Sequence, residues 1–276
     1  MVEDRHARGG ERRPRSSSGG APRRGPRTER QVPWSGPGRA RPVQPRSTPS
    51  DGERAPNDGP PIPPDVDARQ LAPEIRRELS TLDRATADTV ARHLVAAGQS
   101  LDDDPEAALG HARAARARAS RIAAIREAVG IAAYRCGDWG QALSELRAAR
   151  RMGSKSALLA LIADCERGLG RAERAIELAR GPEAAQLSGD DADELRIVAA
   201  GARSDLGQLE QALAVLSTPQ LDPSRTGSTA ARLFYAYADT LLALGRDDEA
   251  LQWFLRSAAA DIEGVTDAED RVSELG

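Results

Sequence analysis

The sequence is poor in the residues that build most enzyme sites and β-sheet cores. Aromatic residues make up 3% of its 276 residues, and it holds two cysteines, three histidines and one lysine. Strands favour aromatic and β-branched side chains, so this composition disfavours a β-sandwich or barrel. Two cysteines, Cys136 and Cys165, cannot form a disulfide framework, which favours a reducing compartment.

Long apolar runs are also missing. The longest uncharged stretch between residues 65 and 276 is residues 211–221, and it contains Ser, Thr, Gln and Pro. A membrane-spanning helix needs about 20 predominantly apolar residues. The arginines near the N-terminus are not followed by the apolar run of a signal peptide. We therefore expect a cytoplasmic protein without a membrane partner.

Charge and proline content divide the chain into two parts. Residues 1–64 hold 13 arginines, seven acidic residues and 13 of the 18 prolines, whereas residues 65–276 carry a net charge of −9. The first part has too little apolar surface to offset a chain entropy of about 1–2 kcal/mol per residue. The sequence predicts a disordered basic tail over residues 1–64 and a folded domain over residues 65–276.

The folded part contains a five-fold internal repeat. Alanines recur at spacings of 34, 33, 37 and 38 residues, at Ala108, Ala142, Ala175, Ala212 and Ala250. A small residue lies twelve positions before each of them. Five positions before lies a glycine in the last four repeats, at Gly137, Gly170, Gly207 and Gly245.

This repeat indicates pairs of closely packed helices. The small residues let two helix backbones approach, and the glycine ends the first helix in a left-handed conformation. One pair cannot bury its own apolar faces, so the pairs must stack. The sequence predicts an all-α solenoid of about five helix pairs with capping helices at both ends. Residues 266–269 match a capping box that opens the final helix.

The repeat resembles the tetratricopeptide repeat (TPR) family. The segments Gly137-Asp138-Trp139-Gly140-Gln141-Ala142-Leu143 and Leu244-Gly245-Arg246-Asp247-Asp248-Glu249-Ala250-Leu251 are similar to that family's turn and second-helix opening. The resemblance covers residues 84–260, extends to TPR proteins of bacteria with GC-rich genomes, and departs from the family in longer connections around residues 181–191 and 219–228.

The resemblance implies a concave groove, lined by the first helix of each pair, that binds a partner protein or peptide. The positions carried over are His93, Glu127, Tyr134, Arg135, Asp164, Arg167, Asp205, Arg232, Tyr235 and Asp239. Tyr235 is the strongest candidate, because exposed aromatic residues are favoured anchors at interfaces. A tyrosine that only covers a neighbouring helix is an equally good interpretation.

No catalytic constellation or cofactor motif is present. His93 and His111 flank the acidic run at residues 102–104, which could together bind a metal. We favour a structural interpretation, in which Asp104 caps a helix that has Pro105 at its first position.

Two basic features suggest contact with a polyanion. The tail arginines Arg12, Arg13, Arg15, Arg23, Arg24 and Arg27 lie among glycines and prolines, and resemble arginine–glycine segments that bind RNA. Further arginines lie on second helices, for example Arg113, Arg116 and Arg147, where solvated helix faces are the simpler explanation.

The sequence thus predicts a non-enzymatic TPR scaffold or adaptor that binds a protein in its groove, with a tail for RNA or the ribosome. A regulatory or sensor subunit of an enzyme complex is the second interpretation.

Overall fold

Helices account for all regular secondary structure in the part of the chain that can be described. A computed structural model describes residues 59–154, 157–218 and 221–276, and these residues contain no strand. The six tail arginines proposed for RNA contact lie outside the described residues.

Ten helices form five consecutive pairs between two terminal helices. The helices are α1 (Pro73–Leu79), α2 (Arg84–Ser100), α3 (Pro105–Arg118), α4 (Ala123–Arg135), α5 (Trp139–Arg151), α6 (Leu159–Gly168), α7 (Ala172–Ala179), α8 (Gly189–Asp205), α9 (Leu209–Leu216), α10 (Ser228–Ala243), α11 (Asp247–Ala260) and α12 (Ala268–Leu275). The pairs are α2 with α3, α4 with α5, α6 with α7, α8 with α9, and α10 with α11. Among the first helices, α2 contacts α4, and α8 contacts both α6 and α10. The predicted all-α, TPR-like solenoid is confirmed.

The turns inside the pairs follow the predicted glycine rule. Gly137, Gly170, Gly207 and Gly245 have φ angles of 73°, 74°, 71° and 72°. In this left-handed region a residue with a Cβ atom is strained, so glycine is needed to reverse the chain within one residue.

The small residues of the repeat are buried where the helices of a pair meet. The five repeat alanines are all 0% exposed. Ala163 and Ala175 share one buried cluster, as do Ala200 and Ala212 in the next pair. Residues with no side-chain atoms beyond Cβ therefore set the distance between the two helices of each pair.

The observed helix caps agree with the sequence prediction at α3 and differ from it at α12. Asp104 accepts a hydrogen bond from the Ala107 amide at 3.0 Å, with Pro105 as the first helical residue. The capping box predicted at residues 266–269 is wrong, because α12 begins at Ala268 without a side-chain cap. The Thr266 hydroxyl instead donates to the Asp261 carboxylate at 2.6 Å, which closes the loop before the helix.

Chain segments outside the five pairs cover both ends of the stack. Ile62 packs against the buried cluster of α1 and α2, and Pro60 lies against Gly110 of α3, so the packed chain begins before the predicted boundary at residue 65. At the other end, α12 packs on α11. No helix of the described residues is long and apolar enough to cross a membrane.

Two helical glycines give a direct test of the close helix contact. A Cβ atom at Gly130 in α4 would lie 2.7 Å from Cγ of Leu146 and 3.2 Å from the Leu146 amide nitrogen. A Cβ atom at Gly98 in α2 would meet nothing within 4 Å. We expect Gly130→Ala to destabilise the protein by about 1 kcal/mol or more, because overpacking outweighs the helix-propensity gain.

The matched change Gly98→Ala should stabilise the protein by up to about 1 kcal/mol, since it only raises helix propensity. Urea unfolding followed by circular dichroism measures both. Equal effects of the two substitutions would contradict the close contact at Gly130.

Candidate functional site

The residues predicted for the groove form polar contacts between neighbouring repeats. In the middle of the stack, the Tyr134 hydroxyl of α4 donates to Asp164 of α6. Arg167 of α6 donates from Nη1 to the same carboxylate at 3.0 Å and from Nε to Asp205 of α8 at 2.6 Å. One hydrogen-bonded chain therefore joins three successive first helices.

Arg167 is buried although it is charged. Its side chain is 4% exposed. Burial alone lowers the pKa of a guanidinium, but the hydrogen bonds and charges of Asp205 and Asp164 outweigh it and raise the pKa of Arg167. A Cβ atom at Gly201 of α8 would lie 3.0 Å from the guanidinium carbon. Glycine at this position therefore makes room for the arginine.

The other repeat boundaries carry similar ties. Arg135 pairs with Asp102 at the turn between α2 and α3, and Arg232 of α10 pairs with Glu194 of α8. At the C-terminal end, Arg271 of α12 lies 3.5 Å from Asp239 of α10. Burial raises the pKa of both Glu194 and Asp239.

We call this set the groove ladder. It consists of the ties Asp102–Arg135, Tyr134–Asp164, Arg167–Asp205, Glu194–Arg232 and Asp239–Arg271. Glu127 of α4 accepts a hydrogen bond from the Ser154 hydroxyl at 2.7 Å. The sequence alone did not predict Asp102, Glu194 and Arg271 as partners. A signal was present, since each tie joins residues 30–38 positions apart, which is about one repeat.

Tyr235 is not an exposed anchor in this structure. Its side chain is 7% exposed, and its ring meets Phe254 of α11 edge-on at a centroid distance of 5.2 Å. Burial, together with a hydrogen bond to Asp267, raises the pKa of its hydroxyl. The second interpretation, a tyrosine that covers a neighbouring helix, describes this position.

His93 and His111 are joined to each other and do not line the groove. Their Nδ1 atoms lie 3.0 Å apart and both side chains are buried, so one neutral ring donates to the other. Burial lowers the pKa of His111. Asp104 is used as a helix cap and Asp102 pairs with Arg135. The described residues contain no group of three or more His, Cys, Asp or Glu side chains that could hold a metal ion.

Several arginines of the second helices are also engaged within the protein. Arg116 of α3 and Arg126 of α4 both pair with Glu145 of α5, whose side chain is 6% exposed. Arg147 of α5 pairs with the buried Glu166 of α6. These contacts tie successive pairs together and explain the arginines without a phosphate ligand.

The buried and exposed ties of the groove ladder should contribute differently to the free energy of unfolding. Arg167→Gln leaves two carboxylates without their cation, and we expect a loss of about 3 kcal/mol, near the lower end for a buried ion pair because Asp205 is partly exposed. Arg135→Gln removes a pair whose side chains are 43% and 81% exposed, so a loss below about 1 kcal/mol is expected. Urea unfolding of the two variants measures the difference. Equal losses of unfolding free energy would contradict the larger stabilising contribution assigned to Arg167.

Comparisons with known proteins give no family assignment. No family model and no curated protein matches the chain. A solved structure similar to it is that of YrrB, a TPR protein with an unusual peptide-binding site, at 17% sequence identity and a TM-score of 0.42, over 74% of this chain and 100% of that one. The five helix pairs with left-handed glycine turns make the fold of the described residues TPR-like.

Proposed function

We propose that the protein is a cytoplasmic, non-enzymatic scaffold that binds a partner protein or peptide along the concave face of its first helices. The observation that supports the proposal is the groove ladder, whose ties join polar side chains of successive repeats. A set of side chains already held in place loses little conformational freedom when a partner binds.

The ladder also restricts which chemistry the partner meets. Because each arginine of the groove lies against a carboxylate, the face offers the open edges of ion pairs. A partner with mixed polar side chains and backbone amide groups is complementary to such a surface. The contact residues proposed are Glu127, Tyr134, Arg135, Asp164, Arg167, Arg232 and Asp239, with Tyr235 supporting the face from beneath.

The two ends of the ladder give variants that test the face without disturbing the core. The side chains of Arg135 and Asp239 are 43% and 50% exposed. We expect Arg135→Glu and Asp239→Lys each to reduce capture of the partner at least about tenfold, since reversed charges at an interface repel. Crosslinking mass spectrometry in the native host measures the captured partner and the contacted residues together.

Matched controls lie on exposed positions of second helices. Arg151→Glu in α5 and Glu173→Lys in α7 make the same charge changes away from the groove ladder. They should leave capture unchanged. Loss of the partner in the controls alone, or crosslinks confined to second helices, would overturn the groove assignment. Constant association with an enzyme whose activity depends on this protein would favour the regulatory-subunit alternative.

The basic tail adds a second proposed contact, with RNA. Its support is the charge asymmetry of the sequence, a basic segment before a body of net charge −9. Since Gly59 and Pro60 already lie against α3, removal of residues 1–58 takes away all 13 arginines of the tail and keeps this packed segment.

Single-stranded poly(U) provides the test for the tail. The full chain should bind it with an affinity that falls as salt rises from about 50 to 200 mM, because binding releases counterions. Removal of residues 1–58, or glutamine at Arg12, Arg13, Arg15, Arg23, Arg24 and Arg27 together, should abolish or strongly weaken binding. Equal binding by the shortened chain, or none by the full chain at about 50 mM salt, would end this proposal.

A further inference from the structure

An open cleft lies between the third and fourth helix pairs, on a different side of α8 from the groove ladder. Its volume is about 440 Å³, and its walls come from α7, α8, α9 and the connection after α7. Ile176, Leu195 and Val215 contribute apolar surface, with several alanines between them. This volume falls within the range of about 300–1,000 Å³ that is usual for small-molecule sites.

The cleft exists because two second helices are short. The second helices α7 and α9 have 8 residues each, whereas α3, α5 and α11 have 13 or 14. They pack against α8, which has 17 residues. A face of α8 is therefore left to the connection at residues 180–187, which covers it only in part.

The charged residues of the cleft all have the same sign. Three arginines line it, Arg180, Arg196 and Arg203, and none of the described residues that line it is acidic. Arg196 has a carboxylate partner in Asp193. The cleft therefore has an excess of positive charge in a folded part of net charge −9.

Arg203 is the central residue of this cleft. It is 7% exposed, and in the described part of the chain no carboxylate oxygen lies within 4.0 Å of its guanidinium nitrogens. Its Nη1 donates to the amide oxygen of Gln208 at 3.1 Å, and its Nε is buried without a hydrogen-bond acceptor. Burial of a guanidinium that has an unpaired N–H group costs free energy, and an anion bound beside the guanidinium offsets this cost.

Other arginines of the chain show that this arrangement is unusual here. Arg92, Arg232 and Arg271 also have a buried Nε without an acceptor. Each of them nevertheless lies within 4.0 Å of a carboxylate, from Asp88, Glu194 and Asp239 respectively. Arg203 differs from these three in having only a neutral amide as its partner.

We propose that this cleft binds a small organic monocarboxylate with an aliphatic body, whose carboxylate pairs with Arg203. The apolar walls take the aliphatic body, and the guanidinium of Arg203, which lines the cleft, donates to the carboxylate. Arg180, at the rim, adds attraction for the anion. Carboxylate is favoured over phosphate because one buried arginine neutralises a single charge.

This site is independent of the proposed groove. Arg203 and Asp205 are two residues apart on α8, a rotation of about 200° around the helix axis, so they lie on nearly opposite faces of the helix. Loss of one site therefore need not affect the other, and failure of either proposal leaves the other in place.

Octanoate is a suitable probe for the full chain, with 1-octanol as the uncharged analogue and octyl phosphate as the other anion. Isothermal titration calorimetry should show saturable binding of octanoate and at least about tenfold weaker binding of 1-octanol, since a hydrogen bond to a charged group is lost. The variant Arg203→Met should lose octanoate binding by a similar factor. The control Arg151→Met, on the exposed end of α5, should bind as the unchanged protein does.

Thermal unfolding separates loss of binding from loss of folding. Without ligand, Arg203→Met should raise Tm by roughly 2 °C or more, because it removes a buried charge that lacks an anionic partner. Octanoate should raise the Tm of the unchanged protein and not that of Arg203→Met. A lower Tm in the variant, equal binding of octanoate and 1-octanol, or tighter binding of octyl phosphate than of octanoate would overturn the carboxylate site.

Discussion

The close contact of the two helices in each pair is the constraint on which the rest of the structure depends. The repeat alanines are fully buried, and at Gly130 even a methyl group would overlap with Leu146. Because each pair is drawn together at the same repeat positions, its apolar faces are presented to the next pair in the same way. The stacking of the pairs, and hence the layer of first helices, follows from that repeated contact.

Once the pairs have the same internal geometry, residues one repeat apart become neighbours. The groove ladder uses this, because a carboxylate meets an arginine, or Tyr134 in one case, that lies about one repeat away in the sequence. The ties do not drive the stacking, since exposed ion pairs contribute little. They fix the relative rotation of successive pairs, and the buried Arg167 does so most strongly because it bonds to two carboxylates.

The sequence was informative wherever a residue acts within its own repeat. The glycine turns, the small-residue contacts and the cap at Asp104 are local, so one repeat predicts the next. Tyr235 shows where this stops: it occupies the same repeat position as Glu127, but Tyr235 is buried while Glu127 is half-buried. The difference comes from Asp267 and Phe254, which meet Tyr235 from the C-terminal segments. The contact between His93 and His111 was missed for a similar reason, since it depends on how two helix faces are rotated against each other.

Arg167 and Arg203 show that equal burial can have different physical meaning. The two residues are 6% and 7% exposed. Arg167 packs against Gly201 on one side of α8, and Arg203 lies on the opposite side of that helix. Arg167 is completed by two carboxylates of the chain, so its charge stabilises the stack. Arg203 donates to the side-chain amide oxygen of Gln208, and its guanidinium lies near no carboxylate of the described residues. The proposed carboxylate ligand supplies the missing negative charge, and the short helices α7 and α9 leave the space in which that ligand fits.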